Sequence, residues 1–82
     1  MVVDTACLED LQHGVATDRR VAERTLKLVE ATLRDPFHGI GKPEPLRHLG
    51  ADIWSRRITQ QDRLIYRVTH DTVTFLQACY HY

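Results

Sequence analysis

An α+β fold, an N-terminal helical hairpin packed on one face of a twisted antiparallel β-sheet, is predicted by three features of the chain. Apolar residues recur at helical spacing as far as Arg34, and after a Pro- and Gly-rich loop the period changes to two. The later runs are separated by only two or three residues, too few for parallel crossovers, so they form an antiparallel meander. Because all helical pattern precedes all strand pattern, the helices form one layer over the sheet. With 82 residues, 43% of them apolar, there is material for one core, and residues 1–82 are expected to be a single domain.

Met1–Val3 reads as a short edge strand. Asp4 or Thr5 then caps a helix carrying Leu8, Leu11 and Val15 at spacings of three and four, with Gly14 weakening its end. Asp18 to Arg34 is the clearest helix. Asp18 caps it, Ala22, Leu26, Val29 and Leu33 are expected to form its buried stripe, and Glu23–Lys27 and Glu30–Arg34 pair at i, i+4 on its outer face. Pro36 stops it near Arg34. From Asp35 to Pro45 three prolines and two glycines make a loop. Asp52–Thr59, Arg63–Thr69 and Thr72–Cys79 follow as strands.

Alternation along the strands sorts the side chains. Leu64, Tyr66 and Val68 share one face of the middle strand, and Arg63, Ile65 and Arg67 the other. Trp54 and Ile58 suit the core, which puts Arg57 outside and leaves Arg56 facing inward or near a rim. In the last strand both faces are partly apolar, so parity does not say which way His81 points.

The formal net charge is zero, but its distribution is uneven. Residues 36–69 hold six bases against three acids, and five of those bases are arginines between Arg47 and Arg67, with Lys42 close before them. Forked guanidiniums suit phosphate oxygens, although an Arg-rich solvated sheet face is the plainer alternative. Two cysteines, no apolar stretch near the ~20 residues that span a bilayer and no leader-like start point to a reduced, cytoplasmic protein with no membrane association.

Several constellations fail on spacing. Gly39–Ile40–Gly41–Lys42 does not match a phosphate-binding loop, because Pro36 and Pro43 stand where Gly and Ser or Thr are needed. The histidines and Cys79 lack the close spacing of metal ligands. Cys79 and His81 merely alternate along a strand. A better set is Glu44 at the loop exit, Arg57 and Arg63 on the outer face, and His81–Tyr82 at the end of the chain. Cleaving RNA through its own 2′-hydroxyl needs a base, an acid and cations around the phosphorane, and these side chains supply all three.

The strings DPFHGIGKPEPLR, WSRRI, DRLIYRV and a terminal HY lie in order within Asp35–Tyr82. In them the chain closely resembles the YoeB/Txe branch of the RelE-like bacterial toxins. That resemblance implies a metal-independent endoribonuclease that cuts messenger RNA in the ribosomal A site, works without a cofactor and is neutralised by a cognate antitoxin of the YefM/Axe kind. Association of two copies is implied by resemblance alone. Residue by residue, it implies Glu44 as general base, Arg63 as the arginine that stabilises the transition state, His81 as general acid and Tyr82 as a nucleotide contact. Arg57 is implied as a phosphate contact, Arg47 stands where a lysine is usual, and Lys42 completes the basic set. Two departures stand out: Gly14 where an aromatic is common, and Asp62 where His is usual. A non-catalytic binding module of the same fold, acting on a protein or RNA, is the alternative; such relatives generally lack the Glu, Arg and His set.

Overall fold

The computed structural model describes the backbone of residues 1–81 and the side chains of all of these except 14–17 and 79–81. The elements run β1 (Val2–Val3), α1 (Thr5–Thr17), α2 (Arg19–Arg34), β2 (Glu44–Pro45), β3 (Ile53–Arg57), β4 (Asp62–Thr69) and β5 (Thr72–His81). They build one five-stranded sheet in the order β1-β5-β4-β3-β2. The meander β3-β4-β5 is antiparallel, as expected from its short connections. The edge strand β1 joins β5 in parallel, so the sheet is mixed; the chain gets from one to the other through everything between them. β2 lies within the loop predicted from its prolines and pairs antiparallel with β3 for two residues. Pro45 is tolerated there because β2 is the outer edge of the sheet. Among the described residues, no helix is long and apolar enough to cross a membrane.

Both helices begin at aspartates. Asp4 Oδ1 accepts the Ala6 N–H at 3.0 Å, and Asp18 Oδ1 accepts those of Arg20 and Val21 at 3.1 and 3.3 Å. Each satisfies donors that a helix start leaves unpaired. Asp18→Ala is expected to cost about 1 kcal/mol, read as a lower urea midpoint with an unchanged slope; an unchanged midpoint would show that the cap is dispensable.

The buried stripe of α2 differs in phase from the expected one. Ala22, Thr25, Leu28 and Thr32 are buried, whereas Leu26 and Leu33 are exposed and Val29 is half-buried. Two threonines are able to face the core because their hydroxyls donate back along the helix, Thr25 to Val21 O at 2.8 Å and Thr32 to Leu28 O at 2.7 Å. A buried hydroxyl with a partner carries no desolvation penalty large enough to rotate the helix. In α1, Leu8 is likewise exposed and Cys7 takes the core position. The expected inward place of Val15 and the packing effect of Gly14 lie outside the described side chains.

The main core, between helices and sheet, joins Cys7 and Leu28 to Ile58, Leu64, Tyr66, Phe75 and Ala78, with Trp54 packed half-buried at its margin. Burial pushes the Cys7 thiol up to about 11, helped by Asp10 and Asp4, so at neutral pH it is an inert core side chain. A smaller cluster of Leu46, Ile53 and Ile65 sits apart from this core. Ile65 shares its face of β4 with the arginines, so that face is partly an apolar surface covered by the segment after β2.

β5 is longer than the strand it pairs with. Tyr66 stands opposite Phe75, Ile65 opposite Gln77 and Arg63 opposite Tyr80, so two extra β5 residues are inserted over this stretch. Each insertion reverses the alternation of faces and the second undoes the first, so only the stretch around Gln77 and Ala78 departs from strict alternation. Ala78 has no partner in that register, and its N–H is taken instead by Asp10 Oδ2 of α1 at 3.0 Å.

Candidate active site

The loop between α2 and β2 is held from below by one buried guanidinium. Arg56, fully buried on the core side of β3, donates from Nε to Tyr66 Oη at 3.3 Å, from Nη1 to Ile40 O at 2.9 Å, and from Nη2 to Asp35 O and to His38 O at 3.0 Å. Tyr66 in turn donates its hydroxyl to Pro36 O at 2.7 Å, and burial raises its pKa, so the phenol keeps its proton. A buried charge is acceptable only when every donor is matched. Here the matching groups are backbone carbonyls of the loop, so solvating the cation and folding the loop are one event. The inward reading of Arg56 from alternation is thus the observed one; its task as the loop's anchor was not foreseen.

The top of the loop is equally constrained. The Asp35 carboxylate accepts the Phe37 N–H at 3.0 Å, which holds it below the usual carboxylate range, and it also contacts His38. Phe37 stacks tilted on Trp54 with ring centres 4.9 Å apart. Gly41 has φ of +83°, and a Cβ there would lie 2.6 Å from Leu28 Cδ2. Its carbonyl accepts the Arg57 N–H at 2.6 Å. Gly41 therefore serves close packing between α2 and β3. Lys42 follows, also in the left-handed region at φ 50°, and turns the chain into β2.

β2 delivers Glu44 to the sheet face opposite the helices. Glu44 is in register with Ser55 of β3, and Ser55 with Ile65 of β4. From β4, Arg63 reaches across β3: its Nη1 donates to Ser55 Oγ at 3.1 Å and forms an ion pair with Glu44 Oε1. Only 14% of the Arg63 side chain is exposed, against 48% for Glu44. The cation is sheathed by the sheet and the carboxylate is open to solvent. Arg57 is the direct cross-strand neighbour of Arg63 and is exposed, which puts two guanidiniums side by side. Arg24 of α2 braces that end of β3, donating Nε to Ile58 O at 3.1 Å.

The structure brings together Glu44, Arg63 and Arg57, and adds Ser55, a residue without a role in the sequence reading. Its signal was the strand alternation itself, since Ser55 shares a face with Arg57. Lys42 and Arg47 flank β2, both exposed. The backbone of His81 stands opposite Asp62, one residue from Arg63, and that of Tyr80 opposite Arg63. The side chain of His81 and the whole of Tyr82, named above as acid and nucleotide contact, lie outside the described residues.

Residues 3–82 match the model of the "YoeB-like toxin of bacterial type II toxin-antitoxin system". Toxin RelK of Mycobacterium tuberculosis is 48% identical over 79 residues, covering 96% of this chain and 93% of RelK. A YoeB/ParE toxin from Agrobacterium tumefaciens superposes with a TM-score of 0.91 at 37% identity, over 99% of this chain and 96% of that one. The Staphylococcus aureus YoeB dimer gives 0.89, and the YoeB–YefM complex from the same organism 0.86, each at 28% identity over 99% of this chain and 94% of theirs. With the fold, the loop and the ordered strings in agreement over nearly its whole length, the chain belongs to the YoeB-like toxins of bacterial type II toxin–antitoxin systems.

Proposed function

We propose that this toxin is a metal-independent endoribonuclease that cuts messenger RNA in the ribosomal A site. The observation that carries the proposal is the pairing of Glu44 with Arg63 beside Arg57, a carboxylate and two guanidiniums on one open sheet face. In the resting protein Arg63 is occupied by Glu44. A phosphodiester offers oxygens of the same geometry and binds guanidinium bidentately, so RNA competes for the cation and releases the carboxylate next to the 2′-hydroxyl. Glu44 takes that proton as the 2′-oxygen forms its bond to phosphorus. Arg63 and Arg57 stabilise the dianionic phosphorane, with Arg47 and Lys42 holding flanking phosphates. As the bond to the 5′-oxygen breaks, His81 protonates the leaving oxygen, and Tyr82 holds the nucleotide. The products are a 2′,3′-cyclic phosphate and a 5′-hydroxyl. The nucleophile belongs to the RNA, so the protein need supply only acid, base and charge.

The partner proposed for this chain is an antitoxin of the YefM kind, with two toxin copies associating and the ribosome presenting the message in the cytoplasm. The Staphylococcus aureus relatives solved as a dimer and with YefM support the first two. The test is end-mapping of a message under translation with the purified chain. Cuts in the A-site codon with cyclic-phosphate and 5′-hydroxyl ends are expected; an intact message, or ends with 5′-phosphate, would refute the mechanism.

A further inference from the structure

The face that carries Glu44 and Arg63 also has a concavity of about 380 Å³. Ile53 and Ile65 are its buried floor, at 4% and 2% exposure, and Leu49, 46% exposed, forms a wall. Asp4, Arg67 and Gln77 bring polar groups to its rim. It adjoins the ion pair through the sheet itself. Glu44, Ser55, Ile65 and Gln77 stand opposite one another on four successive strands, so one register row runs from the carboxylate to the far side of the hollow. Along β4, Arg63, Ile65 and Arg67 follow at every second residue, ~6.8 Å apart. That step is close to the reach of one nucleotide in a stretched single strand.

We infer that this hollow is a nucleobase subsite, taking the base of the nucleotide adjacent to the scissile phosphate in single-stranded RNA. The inference rests on the nuclease reading for its choice of ligand. Its size is at the small end of ligand sites, ~300–1,000 Å³, and suits one base. Unstacked bases are held between apolar side chains and read at their edges by polar groups, which is the division of labour here: Leu49 above Ile53 and Ile65, with Gln77 and Asp4 at the rim. The Asp4 carboxylate is an acceptor, already taking the Ala6 N–H, and it favours a base with an exocyclic amino group over uracil. Arg67 is exposed and supplies the counter-charge for the next phosphate. An acidic peptide would meet Arg67 but also Asp4, and fits less well.

The test is a titration of the full chain with 2′-O-methyl RNA trinucleotides, which cannot be cut, followed by NMR of the isoleucine and leucine methyl groups. The methyls of Leu49, Ile53 and Ile65 are expected to shift with the adenine trinucleotide, and the uracil one to bind about 10-fold more weakly. Arg67→Gln and Leu49→Ser, both at exposed positions, should each raise Kd about 10-fold. Methyls that stay in place while RNA binds, variants that bind as the wild type does, or shifts produced by an acidic antitoxin segment and not by RNA would each overturn the subsite. A chain that binds here yet leaves a translated message intact would instead refute the nuclease reading and keep the subsite.

Discussion

Glu44→Gln is expected to slow single-turnover cleavage of an A-site codon by ~10²–10⁴ while leaving RNA binding as tight or tighter. The two halves of this expectation have separate origins. Removing the carboxylate's charge removes the acceptor for the 2′ proton, which is a loss in the transition state. It also removes the anion that occupies Arg63 in the resting protein, so the phosphate no longer has to displace it. A side chain serving only to hold Arg63 in place would behave differently. Its loss would weaken binding by letting the guanidinium wander, and would leave the rate at saturating RNA nearly unchanged. Measuring rate and affinity separately on the variant therefore decides whether Glu44 is a base or a tether.

The second large effect concerns two neighbouring arginines that should respond in opposite ways. Arg56→Met is expected to destabilise the fold by roughly 2–4 kcal/mol, because the carbonyls of Asp35, His38 and Ile40 lose the donor they converge on and the Tyr66 hydroxyl oxygen loses the N–H it accepts. Arg57→Met, one residue along and exposed, should stay within about 0.5 kcal/mol of the wild type. Urea denaturation of both variants is the measurement, and equal losses would refute the anchoring role. In cleavage the order reverses in kind. Arg57→Met should weaken the handling of phosphate in a folded protein, whereas Arg56→Met should act by unfastening the loop that delivers Glu44.

The legible parts of the fold were those written in local pattern. Two capped helices, a Pro- and Gly-rich interruption and three closely spaced strands are each consequences of neighbours a few residues apart. Strand alternation left Arg56 either inside or near a rim, and the first is what is found. What escaped was what depended on distant satisfaction of polar groups. Thr25 and Thr32 read as surface residues by type, yet their hydroxyls close on their own helix and let α2 turn by part of a revolution, stranding Leu26 and Leu33 outside. The parallel pairing of β1 and the two-residue β2 are long-range events with no local signature, and the prolines around Glu44 argued against a strand. In the site, the residue types came from the ordered strings, but the contact of Arg63 with both Ser55 and Glu44 required knowing that three strands lie side by side in that register.

The surplus residues in β5 make the tail of the chain a counted length. Beyond Gln77, which side of the sheet a position falls on is set by how many residues precede it, not by which residues they are. Inserting or deleting a single residue between Phe75 and Tyr80 would thus invert everything after it, while many replacements in the same stretch would leave the layout intact. Asp10 works here like a ratchet pawl: by taking the stray N–H of Ala78 it marks one length as correct, from a helix at the opposite end of the sequence.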